Sequence, residues 1–221
     1  NKMFVARRYT AFANPATDYV SLSEAKQHLR VTSSSDDTYI TNLISMAIES
    51  CSAYLGYSIR KATARYAFDG FTGAPAMVNP INGLNIPSGN YFRLNSRILA
   101  ILKVYYLNSS QALTEFDANA WISSTDPMGL FSRNVFIESS PTSVTDDLIK
   151  YIIEVTEGFE PAGTGGVDPD KLCPASIKHA ALLLVGQYYD NRQAITVGVQ
   201  NSPLNFGFQY LLDAYKISVL S

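Results

Sequence analysis

The run from Tyr19 to Arg60, YVSLSEAKQHLRVTSSSDDTYITNLISMAIESCSAYLGYSIR, constrains the fold more than any other part of the chain. Its apolar residues recur every three or four positions, which suits helix and not strand. Ser21-Leu-Ser-Glu24 fits a capping box, in which a Ser hydroxyl and a Glu three residues on satisfy orphan amide donors. Leu22, Ala25 and Leu29 then share one face of a helix over 22–29. Val31 to Ser35 is a polar loop. Asp36 or Asp37 caps a longer helix over 37–55, its carboxylate near the positive end of the helix dipole. Ile40, Leu43, Ile44, Ala47, Cys51, Tyr54 and Leu55 form its apolar stripe, and Gly56 ends it.

Helical spacing returns near the other end of the chain. Pro174 opens a helix over 174–191, at a first-turn position where its missing amide costs little. Ile177, Ala181, Leu184 and Tyr188 line one face, and Leu182, Leu183 and Tyr189 much of the rest. A helix apolar nearly all round is expected to be buried on several sides. A last short helix falls within 205–215.

Between these helices the pattern changes to alternation. Thr63–Asp69, Tyr91–Leu94, Ile98–Leu107, Ala120–Ile122, Asn134–Glu138 and Leu148–Thr156 read as strands of an antiparallel set. Gly70 to Asn90 is rich in Gly, Pro and Asn and cannot be the interior of a regular element. The expected class is α+β: a helical bundle built from both ends of the chain, with an antiparallel β sub-domain inserted. The expected divisions are an extended arm over 1–18, the bundle over 19–59 and 172–216, the β-rich insertion over 60–158, a Gly/Pro linker over 159–171 and a tail over 217–221.

Two strings carry a family resemblance. SLSEAKQHLRV, a polar loop with paired Asp, and ITNLISMAIESCSAYLGYSI together resemble the N-terminal signature of the head–tail connector (adaptor) proteins of tailed bacteriophages. Leu22, Ala25, Lys26, Leu29, Arg30, Asp36, Asp37, Ile40, Leu43, Ile44, Ala47 and Gly56 match that pattern. Downstream, CPASIKHAALLLVGQYYDNRQA resembles the family's Pro-opened helix ending in Tyr-x-x-Arg, here Tyr189 to Arg192. The resemblance implies a virion structural protein of the neck, at the portal vertex of the capsid. Copies would form a homo-oligomeric ring, of about twelve chains, that closes by heterologous contacts. The ring would bind the portal protein, extend the DNA channel without sequence-specific binding, and offer a platform to a tail or neck completion protein. In this reading Tyr189 and Arg192 order the bundle or a subunit contact.

Composition sets limits on other functions. The formal net charge is −2, which argues against a protein whose main task is neutralising phosphates. The alternative reading, a DNA-packaging accessory or other nucleic-acid-handling protein, also lacks a basic recognition helix. Fourteen Tyr suit a β-rich region and large contact surfaces. Cys51 and Cys173 both fall in apolar helices and read as reduced thiols. No apolar run approaches the ~20 residues that span a bilayer, and Asn1 to Phe12 has no apolar segment of a signal peptide. The expectation is therefore a soluble protein, made in the host cytoplasm, with no membrane partner.

No catalytic, cofactor or metal constellation emerges, and the chain is expected not to be an enzyme. His28 has only Glu24 at ligand spacing, and a zinc site needs three or four ligands. Gly163 to Gly166 lacks the following Lys-Ser/Thr of a phosphate cradle. Asp168 and Asp170 do not make up the six or more oxygens a calcium ion takes. Cys173 and His179 lie on different helix faces. The candidate functional residues are instead contact residues. They are Arg7 and Arg8 in the arm; Phe71, Met77, Ile81, Leu84 and Ile86 as apolar side chains on the long loop; and Ile217, Val219 and Leu220 in an alternating tail suited to pairing with another chain's sheet edge.

Overall fold

The computed structural model describes residues 4–12, 19–71, 77–78, 85–86, 91–125, 132–137, 144, 149–160, 172–191 and 205–216. The chain divides into two compact units. One comprises residues 13–61 and 158–221, the other residues 1–12 and 62–157.

The first unit is helical. Helix α1 spans Leu22–Leu29 and begins with the capping box: the Glu24 amide donates to Ser21 Oγ, and the Ser21 amide donates to Glu24 Oε2. Arg30 ends it in the left-handed region, and its amide donates to the Gln27 carbonyl. Helix α2 spans Asp37–Leu55 and buries Ile40, Leu43, Ile44, Ala47, Ile48, Cys51 and Leu55. Gly56 closes it at φ 82°, a conformation that a residue without Cβ adopts at no steric cost. Helix α3 spans Ala175–Asp190 and α4 spans Asn205–Asp213. Their buried residues, Ile177, Ala180, Ala181, Leu184, Val185 and Leu212, complete one core with the α2 stripe, Tyr19, Val20, Tyr57 and Phe159. Each fully buried Leu or Ile contributes about 1.5–3 kcal/mol, so this core and not helix propensity holds the short α1 and α4 in place. Helix α3 is buried on several sides, with Ile177, Ala180, Ala181, Leu184 and Val185 in the core and Leu182, Tyr188 and Tyr189 packed against it, while Leu183 is 37% exposed.

The expected linker begins later than its composition suggests. Phe159 is buried in the helical core beside Tyr57, and its carbonyl accepts from the Tyr19 hydroxyl. Glu160 holds Lys61 at 2.8 Å and bridges to Leu172. An aromatic residue beside Gly and Pro reads locally as loop, but a large apolar ring finds the core when the chain passes it. Residues 161–171 and 217–221 lie outside the described residues.

The second unit is β. Strands β1 (Phe4–Phe12), β2 (Ala62–Phe68), β6 (Ile98–Leu107), β7 (Leu113–Glu115) and β10 (Tyr151–Glu157) form a five-stranded antiparallel sheet in the order β1-β2-β10-β6-β7. Strands β5 (Tyr91–Asn95), β8 (Trp121–Thr125) and β9 (Ser132–Ile137) form a three-stranded sheet in the order β5-β9-β8. Strands β3 (Met77–Val78) and β4 (Asn85–Ile86) pair within the long loop. The arm expected over 1–18 is corrected: Phe4–Phe12 is the edge strand of the larger sheet, paired along β2 from Phe4–Phe68 to Phe12–Ala62. Its sequence carries too little alternation to declare it, since the pairing partner lies some fifty residues away.

In β2 and β10 every second residue is buried. Ala64, Tyr66, Phe68, Tyr151, Ile153 and Val155 meet Val104 of β6, Phe92 and Leu94 of β5, and Val135 and Ile137 of β9 in one apolar core. Glu157 is buried with this set. Tyr66 and Ser96 hydroxyls donate to its Oε2 at 2.5 and 2.7 Å, the partners a buried carboxylate requires.

Candidate functional site

The residues that carry the family resemblance are brought together by three helices of the first unit. Ala25 is fully buried, which lets α1 approach α2 closely. Lys26, one position on, reaches across the loop, and its ammonium holds Asp37 Oδ1 at 2.6 Å. Asp36 occupies the N-cap position of α2 but makes no side-chain cap bond. Its carboxylate instead accepts from the Tyr189 hydroxyl at 2.6 Å, from the last turn of α3. Tyr189 also packs on Tyr39, ring centroids 6.1 Å apart. Asp36 is thus the N-cap residue, as the local pattern suggests, but its carboxylate bonds Tyr189 and no amide of α2. Asp37 anchors α1 and Asp36 anchors α3, and both keep a negative charge at the positive end of α2.

Further polar ties run along the same bundle. Ser50 and Tyr188 hydroxyls lie 3.0 Å apart. The Tyr54 hydroxyl donates to Asp213 Oδ1 at 2.5 Å, and Lys216 Nζ stands 4.4 Å from the Tyr54 ring centroid. That hydrogen bond to Asp213 raises the Tyr54 hydroxyl above its ordinary pKa. Glu24 is lowered, chiefly by its bond from the Ser21 amide and then by the Ser21 hydroxyl. Each of these groups is committed to a structural partner.

The arrangement has the chemistry of a clamp. His28 and His179 meet edge to face at 6.3 Å, a contact between α1 and α3 that their sequence separation hid. Among the described residues no three His, Cys, Asp or Glu side chains are placed to hold a metal ion. Cys51 is fully buried, and burial pushes its thiol up to about 12, which makes it a poor nucleophile at neutral pH. No helix among the described residues is long and apolar enough to cross a membrane.

The contact residues expected from sequence are dispersed. Arg7 and Arg8 lie in β1, opposite Tyr66 and Arg65, and Arg8 is exposed. Phe71 is corrected: it packs within its own chain, 4.7 Å from the Tyr151 ring centroid and 5.0 Å from that of Phe92. A loop-borne Phe has no periodicity to reveal that it belongs to a sheet's core. Met77 and Ile86 are register partners in the β3–β4 pairing. Ile81, Leu84, Ile217, Val219, Leu220 and Arg192 lie outside the described residues.

The α1 and α2 side of the helical clamp lies within the span that a family model matches, and Tyr189 lies outside it. Residues 19–112 match the model of the phage gp6-like head-tail connector proteins. Over that span the chain is similar to the head–tail connector proteins. The matched residues include α1, the paired Asp and α2, and extend into the β unit. No curated protein matches the chain. Among solved structures, a chain from the neck of an empty gene transfer agent (GTA) particle, computed with C6 symmetry, matches at a TM-score of 0.64 and 15% identity, covering 96% of this chain and 95% of that one. A chain from the neck of the native GTA particle, computed with C12 symmetry, matches at 0.60 and 16% identity, with the same two coverages. A chain of the native GTA virion matches at 0.61 and 15%. At that identity the likeness establishes the fold alone, the α+β fold of those GTA chains.

Proposed function

We propose that this protein is a structural component of the virion neck, acting by assembly and not by catalysis. Copies close into a ring at the portal vertex. The ring lengthens the DNA channel, and its two axial surfaces receive the portal on one side and a tail or neck completion protein on the other. The observation that carries this reading is the clamp itself. Lys26, Asp36, Asp37 and Tyr189 are among the residues that match the connector signature, and their polar contacts tie three helices together. A ring subunit needs such ties, because each lateral contact must repeat the same rotation for the ring to close. The fold of GTA neck chains supports the same reading.

The net charge of −2 fits a channel that DNA must traverse without sticking. The loop residues Met77, Ile81, Leu84 and Ile86, and the tail residues Ile217, Val219 and Leu220, are the proposed contacts with portal or tail. Phe71 leaves that set.

The test is loss of the protein during particle assembly. Without it, DNA-filled heads should accumulate with no tails attached, and adding purified protein should restore tail joining. Tailed, infectious particles made in its absence would overturn the proposal. Empty heads would instead favour a packaging role.

A further inference from the structure

The outer face of the five-stranded sheet carries one row of charge across all five strands. Arg8 of β1 lies opposite Arg65 of β2. Arg65 Nε holds Glu154 Oε2 of β10 at 2.6 Å, and Glu154 lies opposite Lys103 of β6. Lys103 Nζ holds Glu115 Oε2 of β7 at 2.8 Å. From edge to edge the signs are plus, plus, minus, plus, minus. Arg65, Glu154, Lys103 and Glu115 each have an opposite charge beside them. Arg8 is the exception. It is exposed, has no carboxylate partner among the described residues, and faces a like charge, a pairing that is unfavourable in a sheet.

The two edges of the sheet differ in kind. β1 is nine residues long and has a strand on one side only among the described residues. A long bare edge is a site where another chain can add unless it is occupied or blunted. Arg8 and Thr10 are exposed along it. At the opposite edge, β7 and the two residues after it present Leu113, which is 45% exposed, with Glu115 and Asp117 also exposed. One edge is basic and the other is acidic and apolar.

We propose that these two edges meet between copies: the β1 edge of one chain docks on the β7 edge of the next, with Arg8 facing Glu115 and Asp117 of its neighbour. The occupant is a second copy because the same sheet supplies both complementary edges. The contact joins unlike surfaces, so it is heterologous and repeats around a ring. It also gives Arg8 the acidic partner it lacks and continues the alternation of charge from chain to chain. This inference rests on the ring reading above and names its lateral contact.

Charge reversal tests it. Native mass spectrometry and negative-stain imaging would follow ring formation by the wild-type chain, by Arg8→Glu and by Glu115→Arg. Each variant alone places like charges at every contact, and should need a roughly tenfold or higher concentration to assemble. Mixed in equal amounts, the two should form rings again, in alternation, since every contact between unlike variants pairs a carboxylate with a guanidinium. Glu115→Gln, which removes the Lys103 pair without reversing charge, should assemble within a few-fold of wild type. Circular dichroism should show all variants folded. Wild-type rings together with normal rings from Arg8→Glu would overturn the edge contact and leave the ring reading standing. Failure of the mixture to recover would overturn it too. A wild-type chain that never forms rings, alone or on portals, would remove the ring reading and this contact with it.

Discussion

Replacing Gly158 by Ala should destabilise the helical unit well beyond the cost of a left-handed backbone alone. Gly158 follows β10 at φ 102°, and a Cβ there would stand 2.4 Å from the Arg60 carbonyl oxygen, 2.8 Å from the Arg60 carbonyl carbon and 3.1 Å from the Ile59 oxygen. Ordinary contact begins near 3.4 Å, so the backbone must separate by about an ångström. Neither side yields easily. The Arg60 oxygen accepts from the Ser58 hydroxyl at 2.7 Å, and the Phe159 amide donates to the Ile59 oxygen at 3.1 Å. Phe159 itself is held in the core beside Tyr57. A Cβ in the left-handed region costs ~1–2 kcal/mol, and overpacking against a fixed neighbour adds ~1–3 kcal/mol. A total of about 2–5 kcal/mol is expected. Gly56 provides the internal comparison. It has φ 82°, and a Cβ added there would meet nothing within 4 Å, so Gly56→Ala should cost only the conformational part, about 1–2 kcal/mol. Urea unfolding followed by circular dichroism at the helical band compares the two variants directly. The steric argument fails if Gly158→Ala is no more costly than Gly56→Ala.

Three further outcomes follow from the clamp and its surroundings. Tyr189→Phe removes one hydrogen bond to a carboxylate and should cost about 1–3 kcal/mol, and a double-mutant cycle with Asp36→Asn should show the two losses are not additive; full additivity would show the pair does not interact. Glu24 is lowered in the folded chain by its Ser21 bonds, so the stability it contributes is complete above its ordinary value of 4.5 and is lost as pH falls through the lowered value; Glu24→Gln should be less sensitive to acid across that window in pH-dependent melting, and an unchanged profile would refute the linkage. A thiol reagent at pH about 8, just below the ordinary thiol range, should leave Cys51 unmodified in the folded chain and react with it after denaturation, since burial pushes that thiol up to about 12; rapid native labelling at Cys51 would show that the core opens.

The sequence by itself determined the helical elements of the first unit. Helices α1 and α2 fall where the apolar spacing, the Ser21–Glu24 box and Gly56 place them, because a helix is specified by neighbours three and four residues apart. The same locality made the alternation of β2 and β10 legible, and with it the α+β class. Tertiary structure alone decided what depends on distant partners. Phe4–Phe12 became an edge strand because β2 offered unpaired backbone to it. Phe159 left its loop for a core, and Phe71 packs partly buried against another, which their own neighbourhoods do not reveal. The paired Asp kept their place at the start of α2 but took their roles from Lys26 and Tyr189, the second of these some 150 residues away. The charge row from Arg8 to Glu115 likewise exists only because strand order sets residues from five separate segments side by side. Local periodicity states which face of an element is apolar; only the assembled chain states what that face, and the charges opposite it, will meet.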